Sequence, residues 1–119
     1  MSYDPQNIFA KILRKEIPTE FMYENDHVVA FSDISPQRKV HILILPKGAY
    51  TDIYDFSKNA SPEEQGAIYK AIADIAEQYN LTDNGFRVIA NTKAHGGQEV
   101  PHLHFHLLGG EKVGAMVSK

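Results

Sequence analysis

The sequence predicts an α+β fold with a five-stranded, largely antiparallel sheet and two helices. Apolar residues recur at helical spacing in two segments, one near the start of the chain and one in its middle. Five shorter segments are rich in β-branched residues or alternate apolar with polar residues, as strands do. Because the connections between neighbouring segments are short, strands that follow one another are expected to pair in antiparallel fashion.

The two helices are marked by start and stop signals. The first is amphipathic, begins after Asn7 as the N-cap and is expected to end by Ile17, because a proline follows. The second begins after Ser61 as the N-cap, has a proline at its first helical position and carries Glu64 where a capping box needs it. Asn80 is the expected stop, and the apolar stripe of this helix predicts packing against the sheet.

The strands are predicted from the apolar pattern and from the turn residues that bound it. The first two form a hairpin through the turn-like pair Asn25-Asp26, and Pro46 ends the third. Two connections are predicted as loops: Tyr50 to Lys58, with at most one turn of helix, and Thr92 to Pro101. The five predicted strands span residues 20–24, 27–32, 39–45, 86–91 and 102–108.

Length and composition exclude several classes of protein. With 119 residues the chain is expected to be one domain, 1–119, with a core at about 8–110 and a polar C-terminal tail at 111–119. The net charge of −3, with scattered basic residues, gives no binding surface for nucleic acid or for an anionic membrane. There is no cysteine, no apolar run long enough to span a membrane and no signal-peptide pattern at the start. A soluble, cytoplasmic protein is therefore expected.

Three histidines in the last predicted strand carry the functional signal. Strict alternation puts their imidazoles on one face of the strand and the intervening apolar residues on the other. Burial of each apolar side chain contributes roughly 1.5–3 kcal/mol, so the core fixes the register that presents the histidines. The alternating residues are His102, Leu103, His104, Phe105, His106 and Leu107.

Two of three interpretations of these histidines are disfavoured. One interpretation is that the histidines lie on a half-exposed strand face and have no function. Three histidines at every second position would be unusual in that case. A zinc site could use two neighbouring imidazoles, about 6.6–6.8 Å apart along a strand, but the outer two are about 13 Å apart. Bonds of about 2.1 Å cannot gather all three around one ion. Only Glu99 and Glu111 are nearby carboxylates, so no metal or other cofactor is expected.

The third interpretation is nucleophilic catalysis at phosphorus. An imidazole has a pKa of about 6.5, so one ring nitrogen is free to attack at pH 7 if an acceptor holds the N–H of the other. Flanking histidines would donate to the phosphate. Upstream, Gly96-Gly97-Gln98 offers backbone N–H groups that could cradle an anion, because glycine adopts the conformations that such a nest requires.

The segment from His102 to Leu108 resembles the histidine-triad signature, in which three histidines alternate with hydrophobic residues. Three further stretches resemble the Hint branch of this superfamily, the histidine-triad nucleotide-binding proteins. They run from Ile8 to Pro18, from Phe31 to Pro36 and from His41 to Lys47. The resemblance extends over most of the chain, from about residue 8 to residue 110.

This resemblance implies a purine nucleoside phosphoramidase. Such an enzyme hydrolyses the P–N bond between a purine nucleoside 5'-monophosphate, of AMP or GMP type, and an amine. The reaction passes through a covalent nucleotidyl-histidine intermediate and requires no metal or other cofactor. The resemblance also implies a homodimer that joins two five-stranded sheets, with the long helix at the interface.

Individual roles also follow from the resemblance. His104 is the expected nucleophile, His106 a contact of the α-phosphate and His102 a support of the site. His41 matches a fourth histidine that helps to set the tautomer of the nucleophile and relays a proton, and Asp33 matches a carboxylate that binds the ribose hydroxyls. The apolar contacts of the base are expected from Ile8, Phe9, Ile12, Phe31, Ile34 and Leu43. The phosphate and leaving-group loop is expected from Asn91, Gly97, Gln98, Glu99 and Val100.

Several of these residues have a purely structural alternative. Ile12 and Leu43 would be core residues in any fold. Asp33 could form an Asx-turn, and His41 in an apolar strand would usually be a satisfied core histidine.

Two departures from the family pattern concern the leaving group. Glu99 stands where some members have a hydroxyl residue after Gly-Gly-Gln, and if it faces the leaving group it would repel acidic amines and favour basic ones. The tail lacks the Trp-Pro-Pro-Gly ending of the animal relatives, so their selectivity is not carried over.

Two other functions remain open. One is dinucleoside polyphosphate hydrolysis of the Fhit-like type, against which the segment from Lys15 to Pro18 argues. The other is nucleotide binding or scaffolding with incidental hydrolysis.

Overall fold

A five-stranded antiparallel sheet forms the centre of the fold, as the sequence predicts. The strands of the computed structural model, which describes residues 3–117, are β1 (Tyr23–Glu24), β2 (Val28–Ser32), β3 (Val40–Pro46), β4 (Arg87–Ile89) and β5 (Phe105–Gly109). Their order across the sheet is β1-β2-β3-β5-β4, so β5 lies between β3 and β4. The predicted polar start and tail include residues 1–2 and 118–119, which lie outside the described residues.

Four helices accompany the sheet, where the sequence predicts two. They are α1 (Ile8–Leu13), α2 (Ile53–Asn59), α3 (Pro62–Gln78) and α4 (Lys93–Gly96). Helix α3 has the predicted capping box, in which Ser61 and Glu64 each accept from the backbone N–H of the other. It stops where predicted, because Asn80 adopts a left-handed conformation with φ of 58°. None of the helices in residues 3–117 is long and apolar enough to cross a bilayer.

Helix α1 ends earlier than the predicted boundary at Ile17. Lys15 has a φ of 65°, and the N–H groups of Lys15 and Glu16 donate back to carbonyls of the last helical turn. This pair of hydrogen bonds is a Schellman motif. The helix therefore ends before the proline is reached.

Helix α2 corrects the prediction of a loop from Tyr50 to Lys58. The carboxylate of Asp52 accepts from the backbone N–H of Asp55 at 2.8 Å and so caps the helix. Phe56 is the one buried residue of α2, so the segment lacks an apolar period that sequence analysis could detect. The aspartate N-cap is the signal that could have revealed it.

The five predicted strands are all present, and most are shorter than predicted. The first hairpin turns at Asn25, whose side-chain oxygen accepts from the N–H groups of His27 and Val28. Strand β3 is central and pairs with β2 on one side and with β5 on the other.

The histidine segment is a strand only from Phe105 onwards, which corrects the predicted start at His102. Pro46, at the end of β3, has no N–H to offer the next position of the ladder. The N–H of Leu103 donates instead to the carbonyl of Tyr50 at 2.8 Å. The first two histidines therefore lie on the segment that leads into β5.

Both faces of the sheet are covered, so the core has two parts. Helix α3 packs on one face of the sheet. Leu103, Phe105 and Leu107 are buried there, as the alternation predicts. Helix α1 packs on the other face through Phe9 and Ile12. Because this second face is also covered, His102 and His104 are buried as well.

Candidate active site

A cavity of about 430 Å³ lies on the face of the sheet that α1 covers. Strands β3 and β5 meet there, with Leu43 directly opposite His106. All but two of the lining residues, Ser35 and Gln37, are site residues that the sequence predicts. The lining consists of Phe9, Asp33, Ser35, Gln37, His41, Leu43, Asn91, Gly97, Glu99, Val100, His104 and His106.

His104 is held in one tautomer by the backbone. Its Nδ1 lies 2.7 Å from the carbonyl oxygen of His102, which can only accept, so Nδ1 carries the proton. Nε2 therefore keeps its lone pair. The residue is 8% exposed and packs edge-on against Phe9, with ring centroids 4.8 Å apart. His104 thus presents an unprotonated nitrogen on a ring whose rotation is restricted.

A second series of hydrogen bonds fixes the tautomers of His41 and His106. The backbone N–H of Gln37 donates to Nδ1 of His41 at 3.0 Å, so the proton of neutral His41 is on Nε2. This Nε2 lies 2.9 Å from Nδ1 of His106 and donates to it. The proton of neutral His106 is then on its own Nε2. His41 thus acts on His106, whereas the carbonyl of His102 sets the tautomer of His104.

Asp33 forms the Asx-turn that the sequence offers as the structural alternative, and it also lines the cavity. Its Oδ1 accepts from the N–H of Ser35 at 2.8 Å, which is an Asx-turn. Its Oδ2 lies 3.4 Å from Nε2 of His41. The turn therefore holds the carboxylate at the cavity wall, with one oxygen directed towards the histidine pair.

Burial lowers the pKa of all four histidines. For His102 and His106 it lowers the pKa to about 4. Burial is also the largest influence on His104 and lowers its pKa, against opposing effects of the His102 carbonyl and of two carboxylates. It lowers the pKa of His41 too, where Asp33 opposes it. The cluster is therefore neutral at pH 7, as a histidine nucleophile requires.

One group of side chains in the cavity has the composition of a metal site. Ligand atoms of Asp33, His41 and His106 lie within 4.8 Å of one another. A metal on His41 would need the lone pair of Nε2, which moves the ring proton to Nδ1. Nδ1 of His41 accepts from the N–H of Gln37. If Nδ1 carried a proton, two N–H groups would face each other and this hydrogen bond would be lost. The donor pattern therefore disfavours a metal at this cluster.

Comparison with known proteins decides the family. The model of the HIT domain matches residues 14–113. The chain belongs to the HIT family. One relative is the purine nucleoside phosphoramidase of Escherichia coli (strain K12), 45% identical over 113 residues that cover 95% of this chain and 94% of that protein. Another is an uncharacterized HIT-like protein of Azospirillum brasilense, 43% identical over 118 residues, 99% of this chain and 97% of that one.

Solved HIT structures share the fold. A histidine triad protein from Clostridium difficile has a TM-score of 0.84 and 38% identity, covering 98% of this chain and 100% of that chain. A HIT family hydrolase from Legionella pneumophila Philadelphia 1 has a TM-score of 0.83 and 37% identity, covering 90% and 95%. The predicted family and fold class are therefore confirmed, and these relatives support the expectation of a hydrolase.

The glycine loop of this HIT protein differs from the predicted anion cradle. Residues 93–96 form α4, and Gly97 ends it with a φ of 76°. The N–H groups of Gly96, Gly97 and Gln98 donate to carbonyls at the start of α4 and within it, so they close this helix. The side-chain amide of Gln98 donates to the carbonyls of Thr51 and Val100. Gln98 therefore supports the loop, whereas other residues of the loop line the cavity.

The six residues expected around the base of the HIT ligand lie at three depths. Two line the cavity, two are buried in the core beneath it, and two are exposed at the surface. The cavity is lined by Phe9 and Leu43, the buried pair is Ile12 and Phe31, and the exposed pair is Ile8 and Ile34.

Three contributors to the HIT site were not found by sequence analysis. Gln37 acts through its backbone N–H, which almost any residue could supply, so its side chain gives no signal. Ser35 lies within the stretch that resembles the family and could have been identified there. Tyr3 contacts His102 across almost the whole length of the chain, and no local pattern reports such a contact.

A larger cleft of about 900 Å³ adjoins the cavity that the histidines line. Its lining includes Glu99, which also lines the cavity, so this carboxylate stands between the two. Asp4 and Asp55 add acidic groups to the cleft, and Lys93 adds a basic one. No histidine is among the described residues that line this cleft, so the smaller cavity is the candidate active site.

Proposed function

We propose that this HIT protein is a purine nucleoside phosphoramidase that hydrolyses the P–N bond of nucleoside 5'-monophosphoramidates. The observation that carries the proposal is the tautomer of His104, whose Nδ1–H donates to the carbonyl of His102 at 2.7 Å and whose Nε2 keeps a lone pair. The name of the Escherichia coli relative, purine nucleoside phosphoramidase, supports the substrate class.

In the proposed first step, Nε2 of His104 attacks the α-phosphorus and the P–N bond breaks. The amine leaves with the bonding electron pair and takes up a proton from solvent, and a nucleotidyl-imidazole remains on His104. The positive charge that develops on the ring is stabilised by the bond from Nδ1–H to the carbonyl of His102. In the second step water attacks phosphorus, the His104 nitrogen leaves, and the nucleoside 5'-monophosphate is released.

We assign phosphate binding to His106. Its Nε2–H is a donor at the cavity, and such a donor strengthens as negative charge grows on the phosphoryl oxygens in the transition state. His41 maintains this tautomer because it donates to Nδ1 of His106 at 2.9 Å. Oδ2 of Asp33 lies 3.4 Å from the same Nε2 of His41, and its negative charge helps to keep the proton on that nitrogen.

The remaining predicted contacts of the nucleotide are supported by the position of Asp33 in the cavity and by the exposure of two isoleucines. Asp33 offers acceptor oxygens to the ribose hydroxyls at the cavity wall. Ile34, which follows it, is 98% exposed, and Ile8 is 48% exposed. An apolar side chain left this open gains from being covered by an apolar ligand face, and a purine ring provides one.

The proposed activity predicts turnover of a phosphoramidate without metal. The assay measures AMP released from an adenosine 5'-phosphoramidate of an aliphatic amine, with and without a chelator, beside a diadenosine polyphosphate at equal concentration. We expect the phosphoramidate to be hydrolysed faster, with no effect of the chelator. Faster hydrolysis of the dinucleotide would favour the Fhit-like alternative, and nucleotide binding without turnover of either would favour a binding or scaffold protein.

Glu99 is proposed to select the leaving group, because it lines both the cavity and the adjoining acidic cleft. A phosphoramidate of a basic amine is expected to have a higher kcat/KM than one of an acidic amine. In Glu99→Gln the ratio of the two values should fall by about fivefold, as expected for a solvent-exposed charge contact. Glu63→Gln, on the exposed surface of α3, is the matched control. An unchanged ratio in Glu99→Gln would remove Glu99 from selectivity.

We propose that the protein forms a homodimer through the edge strand β4. Among residues 3–117, β4 is the last strand on one side of the sheet, and Phe86 and Val88 on this side are 38% and 37% exposed. An unpaired strand edge with apolar side chains tends to be covered in solution. Pairing with a second copy would join two five-stranded sheets, and sedimentation equilibrium would detect it.

A further inference from the structure

Tyr3 reaches the base of the histidine segment from the N-terminal end of the described chain. Its hydroxyl oxygen lies 2.6 Å from Nδ1 of His102. The two rings meet edge to face, with centroids 5.6 Å apart. This contact lies outside the cavity and has no part in the proposed chemical steps.

The direction of this hydrogen bond follows from the other partner of His102. Nε2 of His102 lies 2.9 Å from the carbonyl oxygen of Pro46, which only accepts, so Nε2 carries the proton. Nδ1 is then an acceptor, and the hydroxyl of Tyr3 donates to it. Burial raises the pKa of Tyr3, so this hydroxyl keeps its proton at neutral pH.

His102 has no exposed surface, so both ring nitrogens depend on these partners. Without the Tyr3 hydroxyl, Nδ1 would be a buried acceptor lacking the donor that satisfies it here, which is costly. The ring could then rotate or take up water. The carbonyl of the same residue accepts from Nδ1–H of His104 at 2.7 Å, so movement of His102 is transmitted to the nucleophile.

We propose that Tyr3 is a positioning residue of this site: its hydroxyl holds the ring of His102, whose tautomer the carbonyl of Pro46 sets, in one orientation, and thereby fixes the carbonyl that orients His104. The consequence for catalysis rests on the proposed function, whereas the consequence for the hydrogen bonds of the two histidines does not. Tyr3→Phe removes one oxygen atom and tests both.

The closing experiment uses ¹⁵N nuclear magnetic resonance of the imidazole nitrogens, without substrate. In the unmodified chain we expect an unprotonated Nδ1 on His102 and a protonated Nδ1 on His104. In Tyr3→Phe the Nδ1 of His102 should stay unprotonated, because the carbonyl of Pro46 still accepts from Nε2–H, but its signal should shift because the hydroxyl no longer donates to it. The Nδ1–H signal of His104 should broaden through exchange. Tyr23→Phe is the matched control, because it also removes a hydroxyl donor, here to Asp74 at 2.7 Å, away from the site.

Kinetics and labelling provide two further measurements. We expect kcat to fall about tenfold in Tyr3→Phe with little change in KM, and to stay the same in Tyr23→Phe. Should Tyr3→Phe fail to fold, labelling the intact chain with 3-fluorotyrosine makes each hydroxyl a stronger donor, and the Nδ1 signal of His102 should shift. Unchanged histidine signals in the folded variant, or no shift on labelling, would overturn the proposal. Absence of phosphoramidate hydrolysis in the unmodified chain would overturn the proposed function alone.

Discussion

Replacement of His104 by alanine is expected to lower phosphoramidate turnover by roughly 10⁴-fold or more, because it removes the atom that forms the bond to phosphorus. The loss should appear in kcat. Nucleotide affinity should be retained, since the donor on His106 and the carboxylate of Asp33 remain in the cavity. Steady-state kinetics give the first value, and calorimetric titration with AMP gives the second.

A comparison of His104→Ala with His104→Gly separates loss of the nucleophile from a defect in packing, since the cavity left at the ring is larger in the glycine variant. Both should be inactive and both should bind AMP. His95→Ala, at an exposed position of α4, is the control for loss of an imidazole. Substantial turnover by His104→Ala would show that a covalent intermediate on this residue is not part of the reaction.

Acidification is expected to destabilise the fold before it protonates most carboxylates. The pKa of His102 is about 4 in the folded chain, against an ordinary value near 6.5, because burial penalises its charged form. Between these values the unfolded chain binds more protons, so the free energy of unfolding falls as the pH falls from 6.5 towards 4. His102 alone should lower it by about 2 kcal/mol between pH 7 and pH 4.5. The pKa of His106 is lowered in the same way and adds to the effect.

Urea denaturation at pH 7 and pH 4.5 measures this difference. In His102→Asn the free energy of unfolding should be lower at pH 7 and should depend less on pH over the same interval. The slope with pH, and not the absolute stability, is the relevant quantity, because the variant also loses the bond to the carbonyl of Pro46. Equal slopes in the two proteins would show that His102 is not the source of the acid sensitivity.

The sheet was predictable because its signals are local. The alternation of histidines with apolar residues indicated β5, and the capping box at Ser61 indicated α3 within one residue of its start. Helix α2 escaped detection because its single buried side chain leaves no apolar period. Helix α4 escaped because its N-cap, Thr92, makes no side-chain capping bond.

The backbone N–H groups of Gly96, Gly97 and Gln98 do not form the predicted anion cradle. Two consecutive glycines suggested free backbone donors, but the same N–H groups close α4. The sequence indicates that a glycine has conformational freedom. It does not indicate which acceptor the N–H of that glycine will bond to. The cavity wall is still formed there, through Gly97 and its neighbours.

By itself the sequence determined the fold class, the family and the residues of the histidine cluster, because residue type and spacing along one strand are written in the chain. Only the tertiary structure decided which nitrogen of each histidine carries the proton. That choice depends on the carbonyls of His102 and Pro46 and on the N–H of Gln37. All three are backbone groups, which any sequence supplies. Folding alone brings them to the imidazoles.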